Sequence, residues 1–190
     1  MFSSEFKIDA GNFNIPEIEI FHSLINLIGK KKKVPKGRSI VRTGTPATFF
    51  FLIQKGVCQT SAIVNEKKYT LGFSFPGDVD CCPTSLLQGK PNNFMIESIA
   101  DTEILICTLE DFRKNTNEIE YHRIISHILT HYLSVIEKRL IDAISITAEK
   151  RYIQLLKGQP EKLKQIPLAS IASYLGISQE RLSRIRKKLI

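Results

Sequence analysis

Between Leu109 and Thr147 the chain contains no glycine and no proline. Within that stretch Ile125, Ile128, Leu129, Tyr132, Val135, Ile136, Leu140, Ala143 and Ile146 recur at helical spacings of three and four. The pattern predicts a helix of roughly 30 residues, long for a globular protein. Ile124, Leu133, Ile141 and Ile144 widen its apolar stripe. So broad a stripe has two surfaces to cover, one on its own domain and one on a partner helix. Ile125, Leu129, Tyr132, Ile136 and Ala143 are the candidate contacts of a homodimer. The plainer alternative is one helix packed on one core.

Before this helix the periodicity is that of strands. Phe49-Phe50-Phe51-Leu52-Ile53, Val57 to Val64, Tyr69 to Phe73, Phe94 to Ile99 and Glu103 to Thr108 are short strand-like runs. Glycines at 37, 44, 56, 72, 77 and 89 punctuate them, and Asn65-Glu66-Lys67-Lys68 reads as a turn. Short strands at even spacing with turn glycines predict an antiparallel β-roll or jelly-roll barrel. Ile15 to Gly29 is expected to be a further helix, and the lysine run 30–33 a solvated surface. The predicted class is α+β, in three parts: a sensor-like roll over 1–108, a dimerisation helix over 109–147, and a small helical domain over 148–190.

Composition narrows the class. Hydrophobic residues make up 43% and charged residues 24%, which excludes a mostly disordered chain. No run reaches the roughly 18 apolar residues of a membrane span. Residues 1–10 lack the apolar core of a secretory signal. Four cysteines without such a signal fit a reducing cytoplasm better than a disulfide framework. The formal net charge is +8. Residues 148–190 hold ten Lys/Arg against three Asp/Glu, so nearly all of the excess lies in the last quarter. A basic segment on a near-neutral body points to a polyanion, most often nucleic acid; the bland alternative is a solvated helical surface.

That basic segment holds a specific pattern. Leu168 to Leu175 and Ser178 to Ile190 read as two short helices around Gly176. Ala172 is small enough for close helix contact, and Gly176 supplies the positive φ of a tight turn. Ser178 stands at the N-cap of the second helix. Ile171, Leu175, Ile177, Leu182 and Ile185 occupy the positions that must be apolar. This is the helix-turn-helix pattern. Its second helix exposes Gln179, Glu180, Arg181, Ser183, Arg184, Lys187 and Lys188. Gln suits adenine, Glu accepts from cytosine N4, and Arg takes guanine in bidentate fashion. Lys187, Lys188 and Arg186 suit phosphates, and Ser170 and Ser173 backbone contacts from the first helix. With Ser178, these are the candidate DNA-binding residues.

From about residue 20 onward the chain resembles the bacterial Crp/Fnr transcription regulators. The resemblance rests on Lys36-Gly37, Thr43-Gly44, Phe51-Leu52-Ile53, Lys55-Gly56, Pro76-Gly77-Asp78 and Leu86-Leu87-Gln88-Gly89-Lys90-Pro91, followed by the long helix and the helix-turn-helix. It implies a cyclic-nucleotide-binding-like roll, similar in shape to cupins, and a homodimer on a palindromic operator that works with RNA polymerase. It places an effector pocket along Phe75, Gly77, Asp78, Asp80, Cys81, Cys82, Thr84, Ser85, Asn92 and Asn93. Where cyclic-AMP-binding members carry Gly-Glu and Arg-Ser, this sequence has Cys81-Cys82 and Asn92-Asn93. A cyclic phosphate without its Arg loses its main charge-assisted contact, so cyclic AMP is not the expected effector. No cysteine precedes Cys58, which excludes the family's N-terminal iron–sulfur ligation. The chain ends at the second helix, so a truncated, winged-helix-like domain is expected.

Weaker constellations lead elsewhere. Cys81-Cys82 suits a thiol sensor, or simply two small buried residues. His127 and His131 are spaced i, i+4, as metal ligands on a helix can be, but also as solvated residues are. No histidine lies between Val34 and Thr108, which removes a metal-dependent cupin-type enzyme. No phosphate loop or nucleophile elbow is present. The expectation is therefore a non-enzyme with no cofactor and no bound metal: a regulator binding double-stranded DNA, with an unidentified small-molecule effector. The rival is a small-molecule or thiol-redox sensing protein whose basic tail mediates assembly.

Overall fold

The computed structural model describes residues 16–189; residues 1–10, Ile15 and Ile190, read above, lie outside them. α1 (Pro16–Ile28) leads into β1 (Lys30–Val34), β2 (Ser39–Val41), β3 (Phe49–Lys55), β4 (Cys58–Val64), β5 (Lys67–Ser74) and β6 (Val79–Cys81). After α2 (Pro83–Gln88) come β7 (Phe94–Ser98) and β8 (Thr102–Thr108). The rest is helical: α3 (Leu109–Lys114), α4 (Glu118–Ser145), α5 (Ala148–Gly158), α6 (Pro160–Leu163), α7 (Leu168–Leu175) and α8 (Gln179–Leu189). The strands form two four-stranded sheets of order β1-β8-β3-β6 and β2-β7-β4-β5. Every pairing is antiparallel.

The apolar run Phe49–Ile53 is continuous because β3 is buried on both faces. Phe51 and Ile53 point between the sheets, with Val41, Cys58, Ile96 and Ile104. Phe50 and Leu52 point outward onto Phe21 and Ile25 of α1, Phe112 of α3, and Ile124 and Ile128 of α4. The rings of Phe21, Phe50 and Phe112 meet at 5.0, 5.4 and 5.1 Å between centroids, mostly edge-on. Gly56 has φ +90, and a Cβ there would lie 2.5 Å from the Asp101 carbonyl, so the β3–β4 turn requires glycine.

Two features differ from expectation. The lysines at 30–33 are exposed, yet they form a strand at the edge of a sheet. Charge on an edge strand deters pairing with other chains, which reconciles the two. The stretch from Leu109 onward is also not one helix. Asn115 Nδ2 donates to Asp111 O at 2.8 Å, Thr116 Oγ1 donates to Phe112 O at 2.9 Å, and Asn117 Oδ1 accepts from Glu120 N at 2.9 Å. Three side chains satisfy the backbone groups of two helix ends, so the chain breaks there without glycine or proline. α4 proper has 28 residues, and Thr147 caps the start of α5.

α5 to α8 close around Tyr152, Ile166, Ile171, Ala172, Leu175, Leu182 and Ile185. Val57, Phe73 and Phe75 of the roll belong to the same cluster. The helical domain therefore leans on the outer side of β5. Thr70 N donates to Ser173 Oγ at 2.9 Å, and Phe73 meets Tyr174 at 5.8 Å between ring centroids.

Candidate nucleic-acid interface and the interior of the roll

The turn between α7 and α8 has the geometry its sequence requires. Gly176 adopts φ 72; its N–H donates to Ser173 O at 3.1 Å, and Ile177 N donates to Ala172 O at 3.0 Å. Ser178 Oγ accepts from Arg181 N at 3.2 Å and starts α8. Ala172 is buried at the contact of the two helices. Leu182 and Ile185 pin α8 to α7, which leaves Gln179, Glu180, Arg181, Arg184, Arg186, Lys187 and Lys188 exposed along one side. Ser183 and Ser170 are half-buried. Ser173 is turned away from this surface and receives its hydrogen bond from the roll. The Glu180 carboxyl is held below the usual carboxylate range, first by the Ser178 hydroxyl, then by its own backbone N–H, and last by Arg184. Among the described residues no ion pair engages Arg184.

The residues placed in the roll pocket differ in burial and in the partners they engage. Phe75 is buried in the contact between the roll and the helical domain. Asp78 closes the turn at Gly77 by accepting from Phe75 N at 2.8 Å. Asp80 lies fully buried and accepts from Ser74 Oγ at 2.6 Å and Cys81 N at 2.8 Å. Ser85 Oγ accepts from Ala47 N and donates to Lys90 O, both at 2.7 Å. Asn92 Nδ2 donates to Arg42 O at 3.0 Å and Thr45 O at 2.7 Å, while its Oδ1 accepts from Phe94 N at 3.0 Å. Thr84 and Asn93 are exposed. Two buried atoms that sequence reasoning passed over, Gln59 Oε1 and Thr60 Oγ1, have no hydrogen-bond partner among the described residues. Nothing in a single strand's pattern marks them.

Cys58, Cys81, Cys82 and Cys107 are free and buried. Burial pushes the Cys81 thiol up to about 12 and the Cys107 thiol to about 11. Cys58 and Cys82 are pushed higher still, by burial and then by the charge of Asp80. Such thiols hold little reactive thiolate at neutral pH.

α4 has two apolar faces. Ile124, Ile128 and Val135 are buried against the chain's own core. Leu129, Leu133, Ile136 and Leu140 remain 37%, 56%, 39% and 60% exposed. With the exposed Ala143 they step by four and three residues, the spacing of a coiled-coil seam. Two of the residues assigned to a dimer contact are half-buried within the single chain. Ile125 packs inward, and Tyr132 is half-buried, its ionisation opposed first by burial and then by Cys81, Asp80 and Cys82 of the roll.

Sequence reasoning also missed a cleft between α4, α5 and α7, which includes Lys138, Arg139, Asp142, Arg151 and Tyr174. Its parts come from three elements, so no local spacing announces it.

Residues 31–117 match the family model described as the cyclic nucleotide-binding domain. Among solved structures, FixK2 from Bradyrhizobium japonicum is similar over 85% of this chain and 84% of its own, with a TM-score of 0.74 and 19% identity. The regulator CLP from Xanthomonas campestris, titled c-di-GMP responsive, matches with TM-score 0.68 and 16% identity over 91% and 90% of the two chains. A structure from Eubacterium rectale, titled as a transcriptional regulator of the Crp/Fnr family, matches with TM-score 0.66 and 18% identity over 88% and 81%. No curated protein matches the sequence. The chain as a whole shares the fold of these structures: an antiparallel roll, a long helix and a C-terminal helix-turn-helix.

Proposed function

We propose that the protein is a homodimeric, sequence-specific DNA-binding transcription regulator of the Crp/Fnr type. The observation that carries this is α8: its apolar side is fixed on α7, and its opposite side presents Gln179, Arg181, Arg184, Lys187 and Lys188 to solvent. The first turn suits base edges in a major groove, and the lysines at the far end suit phosphates. The exposed seam Leu129–Leu133–Ile136–Leu140–Ala143 supplies the dimer contact, and its two-fold symmetry calls for a palindromic operator with half-sites about one helical turn apart. RNA polymerase is the expected protein partner and the cytoplasm the expected setting. Among the described residues no helix is long and apolar enough to cross a membrane.

The roll is not read as a cyclic AMP receptor. Asn92 is engaged by two carbonyls and an N–H, and the charged side chains buried in the roll are Asp78 and Asp80, both acids. An anionic ligand there meets repulsion where it needs an arginine. The thiol-sensor alternative is disfavoured by the burial of all four cysteines and their raised thiols.

The test is selection of bound duplexes from a random pool, followed by titration of the recovered site. A palindromic consensus bound by two chains is expected. Equal affinity for the recovered and a scrambled duplex would overturn the reading.

A further inference from the structure

The cleft between α4, α5 and α7 gathers three cations around one carboxylate: Lys138, Arg139 and Arg151 against Asp142. Asp142 is already paired with Lys138 at 3.5 Å. Arg151 Nη2 donates to Leu175 O at 2.8 Å, tying α5 to the end of α7, while its Nε is buried without a partner. Arg139 lies 4.4 Å over the Tyr174 ring and donates to Thr70 O at 3.3 Å. Among the described residues neither guanidinium has an ion pair. Burial lowers the hold of Arg139 on its proton and Arg151 lowers it further, while Tyr174 and Tyr132 oppose that. Two desolvated like charges facing a cleft are stabilised by an anion between them. At 3.6 residues per turn, Lys138, Asp142 and Val135 lie well round α4 from the seam of 129, 133, 136 and 140, and Arg139 lies on the flank between the two. Pairing of two chains along the seam therefore leaves Lys138 and Asp142 facing away from the partner helix.

We propose that this cleft binds a small phosphate-type oxyanion, free or as the phosphoryl group of a metabolite, held between Arg139 and Arg151 with Lys138 at its rim. The bound anion clamps α7 to the end of α4 and α5. The consequence for DNA binding rests on the regulator reading; the binding itself does not.

The experiment is calorimetric titration of the full chain, without DNA, at constant ionic strength. Inorganic phosphate and glycerol phosphate serve as probes, so their relative affinity tells the free ion from the organic phosphoryl group. Saturable binding of at least one probe is expected. Asp142→Asn removes the competing carboxylate and frees Lys138, so it should tighten binding severalfold. Lys138→Gln should weaken it, and Arg151→Gln should weaken it by about tenfold or more. Because Arg151→Gln also removes the bond to Leu175, the two rim variants decide the matter. Absence of saturable binding of both probes, or rim variants with wild-type affinity, overturns the proposal. Neither result touches the duplex measurement, and failure on duplex DNA leaves a bound phosphate in place.

Discussion

The interior of the roll and the surface of α8 are both rich in polar side chains, and they treat them in opposite ways. In the roll, Asn92, Ser85, Asp78 and Asp80 are buried, and each is bound to neighbouring backbone or to Ser74. On α8, Gln179, Arg181, Arg184, Lys187 and Lys188 are exposed, and Arg184 has no ion pair among the described residues. A buried polar group is costly without a partner within the fold, and each bond it makes there is one it does not offer to a ligand. An exposed basic side chain on a rigid helix keeps its bonding capacity for something outside. The first set holds the fold together, and the second is the surface on which the proposed DNA reading rests.

The strongest way to break that division is to attack what keeps α8 rigid. Leu182 is fully buried between α7 and α8. Leu182→Ala should cost about 2–5 kcal/mol of stability and abolish duplex binding, read by chemical denaturation and fluorescence anisotropy. Asn92→Leu is the matched change in the roll. It removes three hydrogen bonds, although Arg42 O keeps Thr45 Oγ1 and Thr45 O keeps Asn92 N, and should cost about 1–3 kcal/mol of stability, while the folded fraction binds duplex normally. A selective loss of DNA affinity in that variant would show the roll pocket to be more than structural. Arg184→Ala reverses the pattern: stability should stay within about 0.5 kcal/mol, while affinity for the cognate site falls by about 1–3 kcal/mol and preference relaxes at one base pair per half-site. Lys188→Ala should weaken all duplexes about equally and reduce the slope of log affinity against log salt by about one. Finally, a thiol reagent at neutral pH should leave the four cysteines of the native protein almost unlabelled, and label them on unfolding. Rapid native labelling of Cys81 or Cys82 would restore the redox alternative.

Elements with strong local patterns were legible in the sequence. The doubly buried β3, the Gly176 turn, the Ser178 cap and the buried Leu182 and Ile185 each leave a period or a capping residue to read. β2 and β6 have three residues each, too few to establish a period. The break at Asn115-Thr116-Asn117 was hidden because the stretch was judged by its lack of glycine and proline, while side-chain capping does the same work. On α4 the periodicity identified an apolar helix but not which arc faces the roll. That depends on where Phe50 and Leu105 sit, which is tertiary information: Ile125 and Tyr132, on the expected dimer line, are also half-covered by their own chain. Ser173 was misplaced for the same reason: its partner is a backbone N–H in β5, distant in sequence. The cleft of Arg139 and Arg151 was invisible because its charges come from separate helices.

The lysine strand at the edge of the roll bears on how assembly stops. β1 ends its sheet with four adjacent exposed lysines, so a second sheet brought against it meets a row of like charge. Growth by strand addition is blocked on that side. Two chains joined along their α4 seams form a self-complementary contact that consumes the same patch on both partners. One route to association is closed by repulsion and the other by symmetry, so the expected particle is finite: a pair, and not the first two links of a filament.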